Sequence, residues 1–371
     1  MSVPTTDHVG DLLYGEIEED LRASVREVLG DKAPWTSVLA GTEEDAPYDA
    51  ALWDAVAARL GCAGLPVPED LGGAGASWRE TAVVMEELGR SAAPVPFLTS
   101  AVMATAALLA AGERDLLGRL AAGDAVAVLA VPFSTAPGDD VPGVAGVPGV
   151  AAADGALTGE VAAVADGLAA DVLLVPASGG LYAVDAADAR RTAVTSLDMT
   201  RRLADVAFAS APARRVAAGP DAVRAGLLTG AAMLASEQLG LAERCLDDTV
   251  AHVKARYQFG RPVGSYQGLK HRLADLWTSI TQARAVARHA AASVAAGDGD
   301  APVAVAVAQA HCSGVAVRAA EECVQMHGGI GFTWEHPAHL FLKRAKADSI
   351  ALGTADRHRA ELAALVDLPP A

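Results

Sequence analysis

From Pro220 to its end the sequence reads as helix almost without interruption, and no other feature constrains the chain as much. Asp221–Tyr257 is one long amphipathic helix or a pair meeting near Gly240. Further helices are expected at Gln267–Ala296, Ala301–Met326, Pro337–Ile350 and Ala355–Val366. Long helices joined by short loops bury their apolar faces against one another, so the expectation is a bundle of four long antiparallel helices. Composition supports close packing. Hydrophobic residues make up 52% of the 371, yet aromatics only 4%, and the alanine and valine that fill the difference let helix axes approach.

Two other textures precede this block. Between Asp11 and Ala122, apolar residues recur at helical spacing over Leu52–Leu60, Arg79–Leu88 and Ser100–Ala111. A Pro- and Gly-rich loop, Leu65–Gly75, lies between the first two. From Ala125 to Ala217 the signal changes to short β-prone runs: Ala125–Val131, Val172–Val175, Leu181–Val184 and Leu203–Ala209. The stretch Ala136–Gly149 breaks them. The expected organisation is an N-terminal α-helical domain over residues 1–122, a middle β domain over 123–217 and a C-terminal four-helix bundle over 218–371.

With 29 Lys and Arg against 46 Asp and Glu, the formal charge is −17. Such a surface repels a phosphate backbone, so no nucleic-acid partner is expected. Basic residues do gather between Lys254 and Arg272, but among glycines, aromatics and glutamines, which suits one small anionic ligand better. The four cysteines (Cys62, Cys245, Cys312, Cys323) are far apart and form no metal-ligand spacing, so buried thiols and no metal are expected. Met1–Asp20 is acidic and lacks the apolar core of a signal peptide, and no membrane span is read. These readings point to a cytoplasmic protein.

Two segments carry chemistry. In Arg256-Tyr257-Gln258-Phe259-Gly260-Arg261-Pro262-Val263-Gly264-Ser265-Tyr266-Gln267, a helix ends in a glycine-containing turn and a new helix begins. Backbone N–H groups left free there, with arginines beside them, suit a pyrophosphate. In Gln325-Met326-His327-Gly328-Gly329-Ile330-Gly331-Phe332, three glycines in four residues allow close backbone approach to a ligand that Gln325 would hydrogen-bond. Each segment taken alone also reads as an ordinary helix–helix connection closed by glycine.

Together, in this order and spacing, the two segments resemble the acyl-CoA dehydrogenase family. That family shows Arg-x-x-Phe-Gly followed by Gln, then Gln-x-x-Gly-Gly-x-Gly-Phe/Tyr, then a C-terminal Gly-Thr, here Gly353-Thr354. Val67–Gly73 and Glu86–Gly89 also look like its first domain. The resemblance implies a flavoenzyme whose FAD lies between the subunits of a dimer, within a tetramer. By matching position, Arg256, Phe259, Gln267, Gln325, Gly328 and Gly329 hold the ADP half of the FAD across the interface. Thr354 approaches the pyrophosphate within one active site. The implied partners are an acyl-CoA substrate, an electron-transfer flavoprotein or similar acceptor, and a second acyl-CoA dehydrogenase subunit.

The chain departs from the family where the chemistry is most demanding. The family reaction removes a proton from Cα of an acyl-CoA and passes a hydride from Cβ to the flavin, which requires a carboxylate close to a weakly acidic C–H. At the family's two known places for that base, this chain has Leu352 and Gly230. Glu237 lies seven residues after Gly230, about 10 Å further along the same helical face, and is the candidate substitute. Asp356 is another. The flavin-contacting strand motif of the middle domain survives only as an echo in Ser134, Thr135 and Pro137. Some bacterial members, including those acting on sterol side chains, resemble a mixed complex in which one subunit lacks the base. The expectation is therefore an FAD-dependent α,β-dehydrogenation of an acyl-CoA thioester, performed with a base-bearing homologue. A stand-alone dehydrogenase using Glu237 and a flavin monooxygenase on the same scaffold are the alternatives.

Overall fold

The computed structural model of the protein describes residues 12–141 and 149–368. The N-terminal helices are α1 (Glu16–Lys32), α2 (Trp35–Gly41), α3 (Ala50–Trp53), α4 (Trp78–Ser91), α5 (Thr105–Ala111) and α6 (Asp115–Ala121). Helix α4 begins where its sequence provides a cap. The Ser77 hydroxyl accepts the Arg79 N–H, and the Glu80 carboxylate accepts the Ser77 N–H at 2.8 Å. Two helices expected from periodicity are modified. The Leu52–Leu60 segment starts as α3, capped by Asp49, and continues in wide turns in which the Leu60 N–H reaches the Ala55 carbonyl. The Ser100–Ala111 segment starts earlier, at Phe97, and is wide until α5. Wide turns change which side chains face inward without changing their spacing in sequence, so periodicity alone does not reveal them.

The middle of the chain forms two four-stranded sheets. In one, β1 (Ala127–Leu129), β4 (Val172–Ala177), β5 (Gly180–Asp185) and β8 (Arg214–Ala218) are neighbours in that order. The other runs β2 (Ala151–Ala153), β3 (Ala156–Ala165), β7 (Leu203–Pro212) and β6 (Arg190–Val194). Among these strands β1 and β4 pair in parallel, and Val150 adds a single parallel bridge to Ala177; the other strand pairs are antiparallel. The four β-prone runs in the sequence become β1, β4, β5 and β7, whereas β2, β3, β6 and β8 carried no hydrophobic signal. Strand β3 alternates exposed and covered residues and slips register twice against β7, and β6 and β8 begin on paired arginines. Residues 142–148 of the Pro/Gly-rich break lie outside the described residues.

The C-terminal block is built on α7 (Asp221–Ala255), α8 (Gln267–Ala296) and α9 (Ala301–His327), of 35, 30 and 27 residues. The expected fourth long helix is instead two short ones, α10 (Ala338–Asp348) and α11 (Ala355–Leu365), 11 residues each, both packed on α9. Helix α7 is continuous through Gly240, which is not a break but a crossing point. A Cβ there would stand 1.8 Å from the Glu86 carbonyl oxygen, and a Cβ on Gly89 would stand 2.1 Å from that of Glu237. The two glycines let α4 and α7 touch backbone to backbone. Beside that crossing, Arg22 of α1 reaches Glu86 at 2.7 Å and Glu87 at 2.9 Å, tying the N-terminal helices to it. Among the described residues, Ala301–Phe332 is the one helical stretch long and apolar enough to pass for a membrane span. Of its most apolar window 61% is buried in the protein, as expected of a bundle's central helix.

Candidate functional site

Helix α7 ends at Ala255 with Arg256 as its last cap, and a hairpin of β9 (Tyr257–Gln258) and β10 (Arg261–Pro262) turns the chain into α8. The turn uses Phe259 and Gly260, both at positive φ. Nearby, α9 ends on His327 because Gly328 takes a positive φ of 65°, and Gly328–Phe332 makes one tight turn. These two chain reversals lie side by side and enclose an open cavity of about 580 Å³. Arg256, Gln258 and Arg272 line it from the first, Gln325, Gly328 and Gly329 from the second. A Cβ on either Gly328 or Gly329 would meet no protein atom within 4 Å, so the backbone there faces open space that a ligand can enter. Guanidinium groups, an amide side chain and bare backbone suit a pyrophosphate-linked nucleotide, so these residues fit the ADP half of FAD.

The structure thus brings together Arg256, Gln325, Gly328 and Gly329, four of the residues singled out in the sequence. Gln267 opens α8 as an exposed residue, and Phe259 stands on the hairpin tip, 92% exposed; neither lines the cavity. Ile330, Phe332 and Trp334 are exposed on the neighbouring turn. Thr354 lies elsewhere. It caps α11, its hydroxyl accepting the Arg357 N–H, next to a second cavity of about 420 Å³ lined by Ala136, Arg224, Arg357, His358 and Glu361. His252 and His327 also line the first cavity, and neither is singled out by the sequence motifs. The signal for His327 was its place between Gln325 and Gly328; His252 carried none.

The middle of α7 is built differently. Leu352 is fully buried at a positive φ of 51°, with its N–H donating to the Phe133 carbonyl at 2.7 Å. A Cβ on Gly230 would lie 3.2 Å from Leu352 Cδ1 and 2.7 Å from Met103 Cγ. Two positions 122 residues apart therefore meet in space, and apolar atoms fill the meeting point.

Two turns further along, Glu237 sits in a closed network. Both of its oxygens accept from Arg201, at 2.7 and 3.0 Å, and one also accepts from Arg344 at 2.6 Å. Arg201 also binds Asp348, and Arg344 binds Asp198 and the Thr200 hydroxyl. Burial alone would raise the Glu237 carboxyl, but the two guanidiniums outweigh burial and hold it at about 2. Asp348 goes the other way. Burial, and then the charge of Glu237, push it well above its ordinary 3.8, and its Oδ2 has no partner among the described residues. Glu237, the candidate base, is therefore a tied carboxylate inside the protein and not a free one facing a cavity. Asp356 is exposed and paired with Arg359. Ser134, from the echo in the middle domain, lines a small cavity of about 260 Å³ with Phe133, Leu197, Arg201 and Ile350.

Two family models match the chain: "Acyl-CoA dehydrogenase, N-terminal domain" over residues 15–123, and "Acyl-CoA dehydrogenase, C-terminal domain" over residues 217–366. Acyl-CoA dehydrogenase IpdE2 of Mycobacterium tuberculosis is 36% identical over 332 residues, covering 89% of this chain and 91% of IpdE2. The chain belongs to the acyl-CoA dehydrogenase family. Members of that family are FAD flavoproteins, and the activity is that of an acyl-CoA dehydrogenase, an oxidoreductase acting on CH–CH groups. The fold of this acyl-CoA dehydrogenase is similar to that of a chain in the ChsE4-ChsE5 complex from Mycobacterium tuberculosis. That match has a TM-score of 0.86 and 28% identity, over 97% of this chain and 100% of the other. It is also similar to a chain of the Tcur3481-Tcur3483 steroid ACAD G363A variant, with a TM-score of 0.84 and 30% identity over 95% and 98%. Neither family model extends into residues 124–216, where the flavin-contacting motif was only an echo.

Proposed function

We propose that this chain is the base-lacking subunit of a heteromeric acyl-CoA dehydrogenase. It holds the ADP half of an FAD whose ring serves a site completed by a base-bearing partner. The observation that carries this reading is the contact between Gly230 and Leu352. The two positions that the resemblance gives for the base meet in space, and the side chains of Met103 and Leu352 fill the place. FAD, when bound, would supply the hydride acceptor. What this chain contributes is binding: Arg256 and Arg272 supply positive charge at the cavity, Gln325 an amide, and Gly328 and Gly329 open backbone. Proton removal from Cα needs a carboxylate with a free lone pair, and Glu237 has both oxygens on arginine. That step therefore belongs to the partner.

The exposed apolar side chains beside the cavity, Phe259, Ile330, Phe332 and Trp334, suit a subunit interface crossing the cofactor, in a dimer or in a tetramer of two such pairs. Two of the structures this chain is similar to pair two different chains by name, and one is called a steroid enzyme. The paired names support a heteromer, and the steroid name supports the CoA thioester of a steroid as substrate, with electrons passed to an electron-transfer flavoprotein or similar acceptor.

The test is acyl-CoA-dependent reduction of an artificial electron acceptor, with FAD per chain measured in parallel. Expected is negligible turnover by this chain alone and strong turnover when it is co-purified with a base-bearing homologue. Robust turnover alone that collapses in Glu237→Gln would overturn the proposal. Leu352→Glu alone is expected not to restore activity, because the new carboxylate would enter space lined by Met103, without a partner.

A further inference from the structure

Behind the ADP cavity stand three imidazoles in contact. His252 comes from α7, His327 ends α9, and His336 precedes α10. Their ring centroids are 4.2 Å apart for His252–His327 and 4.1 Å for His327–His336, each pair tilted by 38°. The backbone sets two tautomers. His327 Nδ1 lies 2.7 Å from the Cys323 carbonyl, so it carries its hydrogen and donates. His336 Nδ1 accepts the Ala338 N–H at 3.2 Å. Among the described residues no group of three or more His, Cys, Asp or Glu is arranged to hold a metal.

Resting on the reading of this cavity as the ADP site, we infer that His252 and His327 are pyrophosphate-binding residues, and that the stack takes up a proton when the dinucleotide enters. The geometry supplies the reason. Three rings in van der Waals contact cannot all be charged, because each imidazolium repels the next. The groups facing the stack come from every element around it. They are Asp248 of α7, Arg256 just past its end, Arg272 of α8 with its partner Glu322 of α9, Cys323 of α9 (Sγ 3.6 Å from His327 Nδ1), and His339 of α10, which itself feels the charge of Lys343. In the free protein, burial lowers His327 but its bonds to Cys323 outweigh that and raise it above its ordinary value. Burial, followed by the charge on His327, lowers His252 and holds His336 at about 4. A proton on any one ring therefore suppresses protonation of the other two. A doubly negative pyrophosphate beside His252 and His327 cancels that suppression, and His252, which lines the cavity, can then be protonated near neutral pH.

The experiment is isothermal titration of the full chain with FAD and with ADP-ribose, which has the pyrophosphate but no flavin. Each is run at about pH 6 and about pH 8, and in two buffers of different ionisation enthalpy. Expected is uptake of up to about one proton at neutral pH, and binding roughly three- to tenfold tighter at the lower pH. His252→Gln, at a half-exposed position where folding is not at stake, should abolish both the uptake and the pH effect. Arg256→Ala should weaken binding at both pH values and move the pH effect to higher pH without abolishing it, because the Arg256 charge lowers His252. Binding without proton uptake and with equal affinity at both pH values overturns the inference and leaves the ADP site standing. A pH effect that survives His252→Gln also overturns it. Failure of FAD and ADP-ribose to bind at any pH overturns both readings.

Discussion

Helix α7 passes through two regions that obey opposite rules. In its middle, side chains have closed the structure. Gly230 abuts Leu352 and Met103, Gly240 touches the α4 backbone, and Glu237 is locked between two guanidiniums with no solvent access. At its end the chain stays open, with Arg256 facing a cavity and glycines opposite it left uncovered. A charged group in the closed region is stable only when fully paired, because an unpaired buried charge costs several kcal/mol. A charged group in the open region keeps its water and is available to a ligand. The difference separates a carboxylate that looks catalytic by position from an arginine that is available for binding.

The largest effect should come from breaking the closed region. Glu237→Ala leaves Arg201 and Arg344 buried without their shared partner, and should cost about 3–5 kcal/mol by urea or guanidinium unfolding. The sign with pH is set by the lowered carboxyl. Its contribution is fully present above its ordinary 4.5 and is lost as pH falls towards 2, so the gap between variant and wild type should narrow in acid.

The α4–α7 crossing should be the next most sensitive point. Gly240→Ala places a Cβ against a backbone carbonyl that cannot rotate away, for a loss of about 3 kcal/mol. Gly314→Ala in α9, where a Cβ meets nothing within 4 Å, should instead stabilise by about 0.5–1 kcal/mol. Equal losses at both glycines would show that the crossing is not close-packed.

In the open region, Arg256→Ala should leave the unfolding transition in place and lower FAD affinity about tenfold or more, the loss of one charge-assisted contact of about 1.5–3 kcal/mol. Fluorescence titration of FAD checks this, and unchanged affinity would remove Arg256 from the site.

The smallest effect concerns Asp166, which accepts from the Thr99 hydroxyl at 2.8 Å and which burial raises from 3.8 to about 6. A raised carboxyl favours the folded state below 3.8, and that contribution is lost as pH rises through 6. Asp166→Asn should therefore gain on wild type by about 1–2 kcal/mol between pH 4 and pH 7 in paired unfolding curves.

Much of the fold could be read from the chain because its helices carry their own signals. The ends of α8 fall at Gln267 and Ala296 as expected from its flanking turns, and α9 ends within a residue of Met326. The strands were half legible. Buried strands β4 and β5 are apolar runs, whereas β3, β6 and β8 take their stability from pairing with distant neighbours and need no hydrophobic run of their own. At the site, glycine spacing and the paired motifs pointed to Arg256, Gln325, Gly328 and Gly329. His252 was invisible, because only the packing of α7 against α9 brings it to His327.

Residue identity was enough to show that positions 230 and 352 carry no carboxylate, since what stands there is a local fact. It was enough for the helical blocks too, because amphipathic spacing and glycine turns are properties of neighbouring residues. What fills the space around Gly230 and Leu352, and what holds Glu237, came only with the packed chain. Those answers depend on Met103, Arg201 and Arg344, which reach α7 from three distant parts of the chain. A carboxylate's chemistry is set by the charges and solvent around it, and those surroundings are assembled by packing rather than by sequence order.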